Sequence, residues 1–235
     1  MVARNITSVR EQLWVLAHDE DDGLRPRIDV RALGVGLLGA TLVDLLLLKR
    51  IQIHDGRVYL YGTRALRDVN DPIASGVLYA ITNGGGPPLA GVLRGSHAEA
   101  RDDTPNPYAG CYDRTLAGLI NAGVVVTHRR RLRATRYALD DIRTAQWMRN
   151  HFSRRLWQRE PDADPARDSL CALAWALGLH STLLLPFSTG DADLILRDVI
   201  AQIPQRVGRR SVLTTVPHIA EGVRHAVGDL ATAVF

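Results

Sequence analysis

The residues with the clearest chemical capability are five arginines that lie close together between His128 and Arg136. No acidic residue interrupts this run, and one apolar residue, Leu132, lies in its middle. A guanidinium group binds phosphate oxygens in a bidentate way, and each arginine near an anionic lipid surface contributes about 1 kcal/mol to attachment. The run therefore predicts a phosphate-binding surface, to which Leu132 adds by shallow insertion. The five are Arg129, Arg130, Arg131, Arg133 and Arg136.

Three further arginines flank the beginning of a long apolar segment, and we expect them to lie on the same face as the run. They are Arg25, Arg27 and Arg31. The alternative interpretation of the run is a solvated hairpin edge, on which charges prevent pairing with strands of other molecules. The sequence leaves both interpretations open.

Patterns typical of catalysis or of metal binding are not found in the sequence. None of the eight histidines belongs to an HExxH motif, and the adjacent serine–histidine pairs lack a G-x-S-x-G elbow. Cys111 and Cys171 have no CxxC spacing, and Cys111 is expected to be the more exposed. The acidic run 19–22 is interpreted as a solvated turn, because adjacent carboxylates point in different directions. We therefore predict no enzymatic activity, no cofactor and no metal site.

The element that must position these residues is the apolar segment from Asp29 to Arg50. Between Ala32 and Leu48 its only residues that are not apolar or glycine are Thr41 and Asp44. A membrane span needs about 20 apolar residues, and a charge at mid-bilayer costs at least about 2.5 kcal/mol. The segment therefore favours a buried central helix surrounded by other helices. Its glycines would let those neighbours approach closely, and its last turn would contain the basic pair at 49–50.

Turn signals and periodicity divide the rest of the chain into helices and two hairpins. Asp55-Gly56 between two β-forming runs predicts a first hairpin over 51–61, and a second is predicted over 124–139 around the arginine run. A second strongly apolar helix is predicted over 166–185. The predicted fold class is mainly α: a compact helical domain around two apolar central helices, with two small β-hairpins, in which residues 1–235 form one domain. The other helices are predicted over 6–17, 72–81, 88–95, 108–122, 140–159, 191–203 and 215–233.

Composition restricts the setting in which the protein works. The net charge is +4 and the pI about 9.4, which suits nucleic acid or an anionic membrane as a partner. Only one of the 29 basic residues is lysine, and this arginine bias indicates a GC-rich bacterial genome. Two cysteines without pairing motifs and an N-terminus without a sustained apolar stretch predict a reducing, cytoplasmic location.

Several segments occur in the order found in one known protein family. A helix with LWVLA leads into an acidic turn, and LLGATLVDLLLLKRIQI follows, with Asp44 at the acid of the pattern L-G-x-x-L-x-E-L-x-L-x-x-R-I. TLAGLINAGVV then leads into the second hairpin, DSLCALAWALGLHSTLLLP comes later, and EGVRHAVGDLATAVF closes the chain. From about Leu13 to Phe235 the chain thus resembles the Golgi phosphoprotein 3 family.

The resemblance implies a mainly helical domain that sits on membranes. Eukaryotic members bind phosphatidylinositol 4-phosphate on the Golgi and help to retain glycosyltransferases there. The implied function is a peripheral membrane protein that binds anionic lipid, phosphoinositide included, and recruits membrane enzymes. The positions aligned with the family's headgroup pocket do not match it, and they hold Asp29, Leu38, Ala109 and Tyr112. Arg31 and Arg114 are the nearest arginines, so a shallow pocket beside both would favour lipid binding.

The alternative is a nucleic-acid-binding regulator of the winged-helix type, with residues 124–139 as the wing. A helix followed by GVVV, a basic turn and a return strand is how such a domain ends, and the wing contacts phosphates. The helix over 108–122 has one basic residue, Arg114, which suits packing better than reading a groove. We therefore expect anionic membrane lipid and a membrane-anchored protein as partners at the inner face of a membrane. The 124–139 hairpin is also a candidate contact between copies of the chain.

Overall fold

A computed structural model describes residues 6–62, 65–67, 69–96, 106–130, 133–158, 164–183, 187–208 and 211–232. These ranges contain nine α-helices and three two-stranded antiparallel sheets, so the predicted mainly α fold class is confirmed. The central helix α2 (Val30–Leu47) packs most extensively against four other helices. These are α1 (Val9–Leu16), α5 (Cys111–Asn121), α7 (Pro165–Ala176) and α9 (Val216–Thr232).

The apolar segment forms α2 as a core helix, with 13 of its 18 residues buried. Asp29 caps its N-terminus, because the carboxylate accepts hydrogen bonds from the N–H groups of Arg31 (2.9 Å) and Ala32 (3.2 Å). Among the described residues, α2 is the one helix long and apolar enough to cross a membrane. Its burial among other helices agrees with the predicted core position.

The C-terminal end of α2 differs from the prediction. The helix ends at Leu47, and Lys49 adopts a left-handed φ of 52°. The N–H groups of Lys49 and Arg50 bond back to carbonyl oxygens of the last helical turn. Both basic residues therefore follow the helix instead of belonging to its last turn, and the prediction for them was wrong.

Two glycines of α2 lie where neighbouring segments approach most closely, as the sequence predicted. A Cβ added at Gly39 would lie 2.6 Å from Cγ2 of Val223 on α9. A Cβ at Gly36 would lie 2.5 Å from Cδ1 of Leu177, which follows α7 directly. Both distances are far below the roughly 3.5–4.0 Å at which carbon atoms pack best. A Cβ at Gly34, in contrast, would meet open space.

The side chain of Asp44 connects α2 to α1. Its Oδ1 accepts a hydrogen bond from the N–H of Val9 (2.8 Å), and its Oδ2 accepts one from the N–H of Arg10 (3.2 Å). The sequence offers Thr7 or Ser8 as the cap of this helix, and Ser8 is the one that accepts from the N–H of Glu11 (3.1 Å). The acid at this position therefore satisfies free N–H groups at the start of α1 from a neighbouring helix.

The first predicted hairpin is confirmed. It consists of β3 (Ile51–His54) and β4 (Arg57–Leu60), which pair antiparallel. Asp55 and Gly56 between them have φ values of 49° and 69°. This is the type I′ geometry that Asp-Gly pairs favour, because both central residues need a positive φ.

The second apolar helix is shorter than predicted. α7 ends at Ala176 because Gly178 takes a left-handed φ of 67°, and a short 3-10 helix (Leu179–Ser181) follows. The prediction of one helix over 166–185 was therefore wrong from Leu177 to Leu183, where this described range ends. The other helices lie close to the predicted positions, and they are α3 (Pro72–Asn83), α4 (Leu89–Arg94), α6 (Arg143–Gln158) and α8 (Thr189–Arg206).

Candidate functional site

The arginine run lies in a hairpin of two strands, β5 (Val125–Arg130) and β6 (Arg133–Leu139). The antiparallel register places His128 opposite Arg136. Both strands reach into the arginine run, since β5 ends at Arg130 and β6 begins at Arg133. Val125 is 1% exposed, so the base of the hairpin is anchored in the core while the arginines lie toward its far end.

Arg136 is the one arginine of the run whose side chain belongs to the described part of the structure, and it is exposed. The backbones of three others are parts of β5 and β6. The predicted roles of the remaining side chains fall outside the described residues and stay predictions. These side chains belong to Arg129, Arg130, Arg131, Leu132 and Arg133.

Positive charge is concentrated in the hairpin and in α6, which follows it. Residues 124–158, which we call the basic segment, hold nine arginines and two acidic residues, a net charge of +7. The other 200 residues hold 20 basic and 23 acidic side chains, a net charge of −3. The excess positive charge of the whole chain therefore originates in this one segment, which favours an anionic partner.

A third small sheet, which the sequence did not predict, lies beside the hairpin. Its strands are β1 (His18–Asp19) and β2 (Arg25–Pro26). In the turn between them, a Cβ added at Gly23 would lie 4.0 Å from the carbonyl oxygen of Tyr137 in β6. The Arg25 side chain is 78% exposed, with a loose ion pair inside the turn. The turn that precedes Arg25 thus approaches β6.

Arg27 lies in a structural ion network. Its guanidinium is 3.3 Å from the carboxylate of Asp19 and 3.6 Å from that of Glu20, and its Nε donates to the carbonyl oxygen of His18 (3.2 Å). Glu20 also pairs with Arg149 of α6, and its side chain is 4% exposed. The acidic run therefore contains a buried carboxylate that joins the turn to α6. The prediction that the whole run is a solvated turn was wrong for Glu20. Because the carboxylates of Asp19 and Glu20 neutralise Arg27, its charge does not add to a binding surface.

Arg31 and Arg114 lie on different helices, α2 and α5. Arg31 is 60% exposed at the start of α2, 3.6 Å from the carboxylate of Asp29. Arg114 lies on α5 at the edge of a separate cleft of about 550 Å³. Arg31 does not line this cleft, and a pocket beside both arginines stays a prediction.

The cleft beside Arg114 carries balanced charge. Arg10 and Arg114 line it together with Glu11 and Asp71, and Arg10 pairs with Asp71. Burial opposes ionisation of Asp71, but the hydrogen bond and charge of Arg10 hold its pKa below the usual value. Two cations and two anions leave this cleft without the excess positive charge that a polyanionic headgroup requires.

Two positions aligned with the family's headgroup pocket hold packed side chains. Leu38 is fully buried, and the hydroxyl of Tyr112 donates to Nε2 of His18 (3.0 Å). Nδ1 of His18 donates to the carbonyl oxygen of Trp14 (2.6 Å), and the two rings stack with centroids 3.7 Å apart. Burial lowers the pKa of His18 to about 4, so the ring is neutral and can make both bonds. The sequence interpretation placed His18 only at the start of a turn.

The outer face of α6 carries two tryptophans that the sequence interpretation did not single out. Trp147 is 54% exposed and Trp157 is 61% exposed. They lie opposite the apolar stripe of the helix, and this position in the sequence could have indicated that they are exposed. The spacing of Ile142, Ala145, Met148, Phe152 and Leu156 predicts an amphipathic helix that buries them, but Ile142 is 50% exposed, so the prediction was wrong for that residue. The other four residues of this set are buried.

The two cysteines lie in the protein interior. Cys111 is 3% exposed and Cys171 is fully buried. Burial raises the pKa of the Cys111 thiol to about 11 and that of Cys171 to about 12, so both are protonated at neutral pH. Within the described ranges, no group of three or more His, Cys, Asp or Glu residues is arranged to hold a metal ion.

Helix α5, which precedes the hairpin, would be the recognition helix of a winged-helix domain. Such a helix presents polar and basic side chains to base edges. The exposed residues of α5 include one arginine and one acid, and the others are small or neutral. They are Asp113, Arg114, Ala117, Gly118 and Asn121. This surface does not favour the nucleic-acid alternative.

A comparison with protein-family models matches residues 9–230 to Golgi phosphoprotein 3 (GPP34). A comparison with curated proteins found no match. The family match extends from α1 to α9 and includes α2, the Asp44 position and both predicted hairpins. Since it covers nearly the whole sequence, the chain belongs to the Golgi phosphoprotein 3 (GPP34) family.

Proposed function

We propose that this protein is a peripheral membrane protein that binds anionic lipid through its basic segment. The observation that carries the proposal is the net charge of +7 on residues 124–158, in a chain whose remainder is net negative. Membership of the GPP34 family supports the proposal, because the resemblance implies a domain that sits on membranes.

The proposed binding energy comes mainly from the hairpin arginines. Each arginine near an anionic leaflet contributes about 1 kcal/mol, so five in the run give reversible attachment of roughly 5 kcal/mol. Arg25 is exposed after the turn that approaches β6 and would add to the same surface, whereas Arg27 and Arg149 are neutralised by acidic partners. Leu132 would add shallow insertion at the tip.

Recognition on this proposal follows the charge of the lipid more than the shape of its headgroup. The cleft beside Arg114 has balanced charge, and Leu38 and Tyr112 pack against other side chains at the aligned pocket positions. Phosphatidylinositol 4-phosphate should therefore bind more tightly than singly charged lipids because it carries more charge, without a dedicated pocket.

The setting of the proposed function is the inner, cytoplasmic face of a membrane. The protein would have no catalytic activity of its own and would hold a membrane-anchored protein there, as the resemblance to proteins that retain glycosyltransferases implies. A second copy of the chain, bound through the 124–139 hairpin, is the other partner that we expect.

The test is co-sedimentation with vesicles at two salt concentrations. The vesicles contain phosphatidylcholine alone, or phosphatidylcholine with phosphatidylserine, phosphatidylinositol or phosphatidylinositol 4-phosphate. We expect binding to the anionic vesicles that weakens as salt is added, since exposed charges are screened. Changing four arginines of the run to serine should weaken binding by roughly a thousandfold, at about 1 kcal/mol for each arginine. They are Arg129, Arg130, Arg131 and Arg133.

A matched control removes the same number of positive charges outside the basic segment. Its four arginines are exposed on the described surface, and they are Arg57, Arg67, Arg94 and Arg197. This variant should keep most of its affinity for anionic vesicles. If both variants lost the same affinity for vesicles, net charge alone would explain the binding and the proposal would be contradicted. A wild-type protein that binds no vesicle would also contradict it. In that second case, a DNA mobility shift would test the alternative.

A further inference from the structure

We propose that the outer face of α6 is a second membrane contact, in which Trp147 and Trp157 anchor the helix in the interfacial layer of an anionic bilayer. This inference rests on the proposed function and adds an aromatic surface to the basic hairpin. Among the described residues, nine large apolar side chains are exposed, and three of them lie within 142–158. Exposed aromatic surface and positive charge thus coincide in one segment of the chain.

Helical geometry places both tryptophans on one side of α6. They are ten residues apart, which corresponds to about 15 Å along the axis and about 80° around it. Asn150 and Arg154 have intermediate angular positions and are exposed. The helix therefore presents a strip with an indole near each end and polar groups between them.

Each indole is supported by an aromatic neighbour on the protein side. The ring of Trp147 stacks on His151 with centroids 4.6 Å apart and planes 18° apart. The ring of Trp157 lies 5.0 Å from Phe187 at an angle of 45°. More than half of each tryptophan nevertheless remains exposed. Rings held in this way lose little conformational freedom when they bind, which favours a contact role.

The charge around the indoles identifies the partner as an anionic bilayer. Residues 142–158 contain four arginines and no acidic residue, and Arg143 and Arg154 are exposed near the tryptophans, with Arg143 also hydrogen-bonded to Asp141 just before the helix. Tryptophan is enriched at the membrane–water interface, and helices that lie in the interface combine basic and aromatic side chains. Three residues separate β6 from α6, and the Glu20–Arg149 pair holds α6 to the turn beside the hairpin. The strip thus follows the hairpin directly in the chain, on a helix that is tied to the turn next to β6.

The first measurement uses the wild-type protein and the fluorescence of its tryptophans. The chain has four, and the other two, Trp14 and Trp175, are at most 9% exposed. Vesicles of phosphatidylcholine and phosphatidylglycerol in equal parts, with bromine on the acyl chains near the headgroup, should quench the emission when the protein binds. The double variant Trp147→Phe/Trp157→Phe should bind these vesicles with little quenching of the remaining emission.

The second measurement uses co-sedimentation with the same lipids without bromine. Trp147→Ser/Trp157→Ser should bind about tenfold more weakly than wild type, because both interfacial anchors are lost. Tyr79→Ser/Leu194→Ser removes two similarly exposed apolar side chains from α3 and α8 and should bind like wild type. Circular dichroism and thermal unfolding should be unchanged in both, since every altered side chain is exposed.

The outcomes separate this inference from the proposed function. If wild type binds anionic vesicles but bromolipid does not quench it and the serine double variant binds equally well, the α6 contact is overturned while the proposed function stands. If the serine double variant binds vesicles like wild type but sediments at a different velocity without vesicles, the strip is a contact between copies of the chain. The inference is then also overturned. If wild type binds no vesicle, both proposals fail together.

Discussion

Helices α2 and α6 have similar lengths, but the fold uses them in opposite ways. α2 buries 13 of its 18 residues, and its one charged side chain beyond the first turn, Asp44, accepts two backbone hydrogen bonds. α6 has 16 residues, with four arginines, no acid and two exposed tryptophans. A buried polar group must find partners within the protein, whereas an exposed one can bind a ligand. Substitutions in α2 should therefore change stability, and substitutions on the outer face of α6 should change vesicle binding.

The largest loss of stability is expected on the inner face of α6, where a charged side chain is buried. This face is therefore an exception to the contrast between α2 and α6. Arg155 donates from Nε to Oδ1 of Asp168 (2.6 Å), Arg206 lies 3.6 Å from Oδ2, and the Arg155 and Asp168 side chains are 1% exposed. Asp168→Ala would leave Arg155 without this carboxylate. Removing one partner of a buried pair costs about 3–5 kcal/mol, and urea unfolding should show a loss of this size.

The control for that prediction is an ion pair at the surface. Arg224 and Glu221 lie 3.1 Å apart on α9, and both are about half exposed. Glu221→Ala should cost less than about 1 kcal/mol, because water already screens this pair. Equal losses in Asp168→Ala and Glu221→Ala would mean that the inner face of α6 does not depend on its buried charges.

The next effect concerns the buried carboxylate of α2. Burial raises the pKa of Asp44 from 3.8 to about 6, although the N–H groups of Val9 and Arg10 oppose this shift. The folded protein thus holds this proton more tightly than the unfolded chain. The resulting stability is fully present below pH 3.8 and is lost as the pH rises through about 6. The difference between these two pKa values corresponds to a free energy of unfolding on the order of 3 kcal/mol.

Asp44→Asn should remove this dependence on pH. Urea unfolding between pH 4 and 7 should show wild type losing on the order of 3 kcal/mol relative to the variant as the pH rises. The amide can accept one of the two backbone hydrogen bonds, so the variant should fold. Parallel stability curves for the two proteins would show that Asp44 does not titrate in this window.

His18 should produce the opposite slope over nearly the same window. Its pKa is lowered from 6.5 to about 4 by burial, so the unfolded chain binds this proton more tightly. The stability from the neutral ring is present above pH 6.5 and is lost as the pH falls through about 4. His18→Gln should therefore gain on the order of 3 kcal/mol relative to wild type as the pH falls from 7 to 4. A constant difference across the pH series would contradict the neutral, doubly bonded ring.

The parts of the fold that sequence could predict are those with local signals. Apolar residues on every side of the segment before Lys49 indicated a core helix, and Asp55-Gly56 indicated a hairpin. The two-residue strands β1 and β2 have no period to recognise, so they were missed. Gly178 lies between apolar residues on both sides, and only its left-handed conformation ends α7 before the predicted stop.

The binding surface could be predicted where it depends on charge along the chain, and not where it depends on distant partners. The arginine run is visible in the sequence. The neutralisation of Arg27, in contrast, depends on Glu20, which is itself shared with Arg149 far along the chain. The burial of His18 likewise depends on Tyr112, 94 residues away. No spacing rule connects such residues, so their charge state could be assigned only from the folded chain.

The smallest expected changes of stability come from alanine substitutions at two glycines of α2, and they have opposite signs. Gly39→Ala should destabilise by about 1–3 kcal/mol, because its Cβ would lie 2.6 Å from Cγ2 of Val223 and overpack the contact with α9. Gly34→Ala meets no atom within 4 Å, so it should stabilise by up to about 1 kcal/mol, the ordinary advantage of alanine inside a helix. Thermal unfolding of both variants measures the difference. Since neither residue lies in the basic segment, both variants should bind vesicles like wild type. If the two substitutions shifted stability equally, close approach at Gly39 would not explain why α2 keeps a glycine there.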